Sequence, residues 1–182
     1  DDIRNSEISV DTVKNELQNA RSGFSITEKK RDSELAAKQL AIDLARLALQ
    51  SWQEGEVVAK RQDLALAVQT ADKNYQRLFK KFESSTQLFE QKFLSRDELD
   101  QDEIALLNAS ATLKKANLDV MVYENYTHLQ QKQIKESDLQ QAKDEYERAT
   151  ERLASEIKTS QSNIEAKENK LASHVELLEK RR

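Results

Sequence analysis

Two histidines and 33 acidic side chains, with no cysteine, are the groups in this 182-residue chain that could hold a metal or move a proton. A metal site needs its ligands to converge, commonly at i and i+4 on one helix face or across two helices. His128 and His174 stand far apart, and neither has a histidine partner at such a spacing. The acids near them are those of a chain that is 34 % charged, so both histidines read as solvated surface. The lack of cysteine removes a thiolate metal site and a disulfide framework. There is no Gly-rich phosphate loop, no nucleophile elbow and no Cys/His pair. The expectation is a chain that is not an enzyme, with no catalytic residue, no metal and no cofactor.

The one stretch with a specific local chemistry is Leu88–Asp100, LFEQKFLSRDELD. Ser95 followed three residues later by Glu98 is a capping box: the serine oxygen takes the free N–H of Glu98, and the carboxylate reaches back to the N–H of Ser95. Leu94 and Leu99 fall at the N′ and N4 positions, where they close as a hydrophobic staple. Asp97 and Glu98 place negative charge on the positive end of the new helix. A helix therefore starts at Ser95, and the preceding one must end within a few residues. That leaves room only for a sharp reversal, with its tip at residues 91–95.

The elements on either side must be helices. The chain has two glycines and no proline, so turns are scarce, while Ala, Glu, Lys, Leu, Gln and Arg, the strong helix formers, dominate. Only 37 % is hydrophobic, enough for a narrow seam between helices but not for a thick core. Arm one, about residues 1–91, shows Ile3, Val10, Leu17 and Phe24 at heptad spacing, then Leu35, Ile42 and Leu49 with a wider apolar face at Leu40, Leu44 and Leu47. From Leu64 the pattern is nearly ideal, through Val68, Ala71, Tyr75, Leu78, Phe82, Ser85 and Phe89. Arm two, about 96–182 after a tip at 92–95, repeats Leu99, Leu106, Leu113 and Val120, and also Asp102, Ala109, Ala116 and Tyr123. Later, Leu139, Tyr146 and Leu153 slip by four residues to Ile157, Ile164, Leu171 and Leu178, as a stutter does. The expected fold is all-α, a long antiparallel two-helix coiled-coil hairpin forming one domain over 1–182.

Two levels of the seam are weak. Ser22–Thr27 faces Thr159–Asn163, and Trp52–Glu56 faces roughly Gln130–Ile134, within reach of Tyr126–Leu129. Gly23 and Gly55 make these levels the hinge candidates. Trp52 reads most simply as filling the seam where the register changes. Arms of nearly equal length about one turn point to a segment inserted in a larger protein. The net charge of −4 opposes nucleic acid as a partner, and no run of about 18 apolar residues spans a membrane.

The run LFEQKFLSRDELDQDEIALLNASATLKKANLDV resembles the hairpin tip of the HlyD-like membrane fusion proteins, the periplasmic adaptors of bacterial tripartite export systems. Trp52-Gln-Glu-Gly-Glu56 and Tyr123-Glu-Asn-Tyr-Thr127 are similar to mid-hairpin segments of its long-hairpin members. The resemblance implies flanking lipoyl-like and β-barrel domains, absent from this chain. It also implies a periplasmic protein of a Gram-negative bacterium, anchored at the inner membrane in its full-length form. Its partners would be an inner-membrane transporter, a TolC-like outer-membrane channel at the tip, and further copies of itself in a ring of six. Many members carry an Arg-Leu-Ser tip motif. Leu88 and Ser95 keep its spacing, Ser84 stands at the arginine position, and Lys92 stands where a glycine is common, at a turn position that can demand a left-handed backbone.

The docking residues implied by this resemblance are Leu88, Lys92, Phe93 and Ser95. The rival from another class is a coiled-coil scaffold or tether without a transport role, which would lack lipoyl-like flanks. A hairpin arm of a nucleic-acid enzyme would need a basic face or a Cys-x-x-Cys tip.

Overall fold

A computed structural model describes residues 2–181. The fold is the all-α helical hairpin expected: 97 % of the described residues are helical, in arms of 89 and 86 residues. Helix α1 spans Asp2–Ser51 and α2 spans Val57–Glu90; α3 spans Arg96–Val122 and α4 spans His128–Arg181. A single π-helical turn joins α1 to α2 at Trp52–Glu56, and a second joins α3 to α4 at Tyr123–Thr127. Packing divides the chain into two units, Asp1–Ala45 with Asp138–Arg182, and Arg46–Ser137.

In the first unit the seam is thin. Val13, Leu17, Ile42, Ala149 and Leu153 are buried, with Leu153 fully enclosed. Half-buried Val10, Ala20, Phe24 and Leu35 extend it on one arm and Tyr146, Ile157, Ile164, Leu171 and Leu178 on the other. Ala149, Leu153 and Ile157 are consecutive steps of four, which is the stutter read from the sequence. Ile3 is the exception to the heptad: it lies exposed at the helix end, and Ser6 takes the inner position, its hydroxyl receiving Arg181 Nη1 at 2.8 Å. Leu40 and Leu44, part of the wider apolar face, are exposed. Charged pairs flank the seam: Glu16 with Lys167 at 2.6 Å, Lys38 with Glu145 at 2.7 Å, Arg21 with Glu168 at 2.8 Å, and Glu34 with Arg152. These keep the register dictated by a reversal at residues 91–95. All of them are open to solvent in part, so they select alignment more than they supply stability.

The level at Ser22–Thr27 is as poorly packed as expected. Ile26 is exposed, and a groove of about 640 Å³ is lined by Thr27, Ser155, Thr159 and Asn163. Gly23 has an ordinary helical backbone, with nothing within 4 Å of where a Cβ would sit.

In the second unit α2 packs antiparallel on α3. Val57, Ala71 and Ser85 are buried on α2, and Leu99, Ala109 and Ala116 on α3. Leu64, Val68, Tyr75, Leu78, Phe82 and Phe89 are half-buried along the same line, as are Leu106, Leu113 and Val120. The nearly ideal heptad of the sequence is thus the packed one.

Candidate functional site: the tip and the paired π turns

The reversal is built by two interlocking terminal motifs. At the end of α2 the N–H of Lys92 donates to the Phe89 carbonyl at 2.9 Å, and the N–H of Phe93 donates to the Leu88 carbonyl at 2.9 Å. That pair of bonds is a Schellman motif, which needs a left-handed residue between its two halves. Lys92 is that residue, with φ 64°, the one non-glycine positive φ among the described residues. A β-carbon there crowds the following carbonyl by about 1–2 kcal/mol, which is why glycine is usual.

Three residues later the capping box is complete. Ser95 Oγ accepts from the Glu98 N–H at 3.3 Å, and Glu98 Oε2 accepts from the Ser95 N–H at 2.9 Å and the Ser95 hydroxyl at 2.7 Å. These bonds hold the Glu98 carboxyl below its ordinary range, the Ser95 hydroxyl first and its backbone N–H second. Leu99 is buried and Leu94 half-buried, consistent with the staple.

This frame presents two large apolar side chains beside the exposed Gln91, Lys92 and Ser95. Phe93 is 78 % exposed and Leu88 43 %. Phe89 is half-buried, with the Arg96 guanidinium 5.8 Å over its ring. Ser84 spends its hydroxyl on the Lys80 carbonyl of its own helix, at 3.0 Å.

Just inside the tip lies a polar crosslink. Asp102 accepts from Lys81 Nζ and from Ser85 Oγ, both at 2.6 Å. These partners, lysine first, hold the Asp102 carboxyl below its ordinary range. Ser85 and Asp102 are both polar occupants of seam positions, and that coincidence at one level was the available signal.

The second assembly is the pair of π turns. The Val57 N–H donates to the Trp52 carbonyl, and the His128 N–H donates to the Tyr123 carbonyl. Each bond spans five residues, so each turn accommodates one residue more than an α-helix would. The turns face each other. Trp52, 2 % exposed, stacks on His128 with centroids 5.2 Å apart and planes 16° from parallel. Tyr123 is tilted against the same imidazole at 6.0 Å. Trp52 Nε1 donates to Gln131 Oε1 at 3.2 Å. Arg61 clamps Glu124 through Nε at 2.7 Å and Nη2 at 2.8 Å, which lowers the Glu124 pKa and raises that of Arg61.

His128 is therefore not the solvated histidine its sequence surroundings suggest. It packs in an aromatic layer, with Nδ1 buried and without a hydrogen-bond partner. The reading of Trp52 as filling the seam at a register change holds. Gly55 sits in the exposed wall of the first π turn, its backbone φ negative and its Cβ position open.

Among the described residues no three His, Cys, Asp or Glu side chains gather as metal ligands would, and no helix is long and apolar enough to cross a membrane. No protein-family model, curated protein or solved structure matches the chain.

Proposed function

We propose that the chain is the α-hairpin of a periplasmic adaptor, joining an inner-membrane transporter to an outer-membrane channel for export or efflux. The observation that carries this reading is the tip: two exposed apolar side chains, Leu88 and Phe93, on a reversal fixed from both sides by backbone and capping hydrogen bonds. A surface ordered before it meets its partner loses less freedom on binding, so such a turn is suited to docking. The Leu88 and Ser95 spacing fits the adaptor tip motif, while Ser84 supplies no charge at the arginine position and weakens the polar half of that contact. An exposed apolar stripe on α3, Ile104, Leu107, Leu118 and Met121, supports side-by-side packing of hairpins into a ring. The hairpin acts as a spacer and wall; lipoyl-like and β-barrel domains in the full-length protein carry the transporter contact. This assigns it to the periplasm of a Gram-negative bacterium.

The test is export by the full-length adaptor carrying Ser95→Asp, Lys92→Glu or Phe93→Ala. Aspartate still caps the helix, so Ser95→Asp separates docking from folding. Docking predicts hairpins that melt as the parent does and lose export. If all three fold and export normally, the tip is only a turn.

A further inference from the structure

The two π turns have a consequence for which face of α3 is inside. Traced back from the buried Ala149 and Leu153, the heptads of α4 run through Ala142, Lys135 and His128 on one line, and through Tyr146, Leu139 and Lys132 on the other. Continued toward the tip without interruption, the same two lines pass through Met121, Lys114 and Leu107, and through Asn125, Leu118, Ala111 and Ile104. Five of these seven are apolar, and those five are exposed, the four larger ones at 49–68 %. The residues that face α2 are Leu106, Ala109, Leu113, Ala116, Val120 and Tyr123. Helix α3 thus carries two apolar stripes, and one extra residue turns an α-helix by about 100°, enough to exchange one face for another.

We infer that the π turn at Tyr123–Thr127, held by Trp52 against His128, is a frame selector: it decides which apolar stripe of α3 meets α2 and which is presented outward. The packed frame has chemistry in its favour. It brings Leu99 to the seam and Asp102 to Lys81 and Ser85, whereas the other frame would carry Asp100 and Lys114 inward. The opposing pull is the π turn itself, whose hydrogen-bond geometry is unfavourable and whose conversion to α-helix would swing α3 to its second stripe. Trp52 opposes that conversion, because its stack and its bond to Gln131 exist only while Tyr123 and His128 both point at the opposite arm. This inference concerns the hairpin alone and stands whether or not the tip docks on a channel.

Single cysteines on an otherwise cysteine-free chain read the frame. In the parent, Ala111→Cys should react quickly with a charged maleimide and Ala109→Cys, whose native side chain is 3 % exposed, slowly. In a Trp52→Ala background the selector predicts that the ratio inverts: Ala109→Cys speeds up and Ala111→Cys slows down. Deleting Asn125 places His128 four residues after Tyr123, so α4 runs into the packed stripe with no π turn. In that deletion background Trp52→Ala should leave both rates at their parental values. Mere loosening would raise the Ala109→Cys rate without lowering that of Ala111→Cys, and would do so with or without Asn125; either result overturns the inference. Unfolding by Trp52→Ala would make both sites fast, and failure of the Asn125 deletion to restore protection would then count against it.

Discussion

Trp52 and His128, 76 positions apart in sequence, lie ring on ring at 5.2 Å, each at one end of a five-residue hydrogen bond in its own arm. The stack makes two local irregularities into one structure. A wider helical turn leaves a gap at a narrow seam, and here each arm fills the gap left by the other with an aromatic ring.

Replacing Trp52 by alanine should accordingly be the most damaging single change in the second unit. The indole is buried and its Nε1 is bonded, so truncation should lower the unfolding free energy by about 3–5 kcal/mol. Phe79→Ala, at a ring 47 % exposed, serves as the comparison and should cost far less. Urea unfolding of the two variants, followed by circular dichroism, measures the difference. Equal costs would mean that the aromatic layer does not hold the π turns.

The tip gives opposite signs at neighbouring positions. Lys92→Gly relieves a left-handed lysine and should stabilise the hairpin by about 1 kcal/mol. Ser95→Ala removes the N-cap and should destabilise it by about 1 kcal/mol. Thermal melts of both variants should therefore move apart from the parent in opposite directions.

Acid should weaken the hairpin through carboxylates held ionised by their partners. Glu98 and Asp102 have folded pKa values below their ordinary ones, through Ser95 and through Lys81 with Ser85 respectively. A depressed folded value contributes stability above the unfolded pKa, near 4 for such groups, and that contribution disappears as pH falls through the folded value. The unfolding midpoint should thus be flat above about pH 5 and fall below about pH 4. Asp102→Asn should flatten part of that fall, and a midpoint unchanged by this substitution at every pH would contradict the assigned pairing.

Gly23 offers a gain without a contact. Its backbone is helical and the Cβ position is empty, so Gly23→Ala should stabilise by about 1 kcal/mol. Hydrogen exchange near residues 22–27 should slow in the same variant. Exchange there that is already as slow as at Leu153 would argue against a weak level.

The parts of the fold that were legible were those encoded within a few residues. The Ser95–Glu98 box announces itself in four positions, and the steps from Leu64 to Phe89 define a seam without reference to the other arm. The stutter after Leu153 is visible for the same reason. The π turns were not legible as such, because each arm's frame before and after the turn is regular. Only the one-residue mismatch between the two frames reveals the extra residue. His128 was misread because its neighbours in sequence, Thr127 and Leu129, say nothing of Trp52, which reaches it from the opposite arm. Ser85 and Asp102 hold regular heptad positions in the sequence, which does not tell that they are bonded to each other.

Docking of the exposed tip on an outer-membrane channel is what the proposed function rests on. A photo-crosslinking residue at Phe93 in the full-length protein, irradiated in cells and analysed by mass spectrometry, tests it most directly. Docking predicts a covalent product with an outer-membrane channel protein. It further predicts that this product is lost with Ser95→Asp and absent when the crosslinker sits at Ile26, far from the tip in sequence and itself 68 % exposed. Products at Phe93 confined to other copies of the chain, or the same channel product from Ile26, would contradict it.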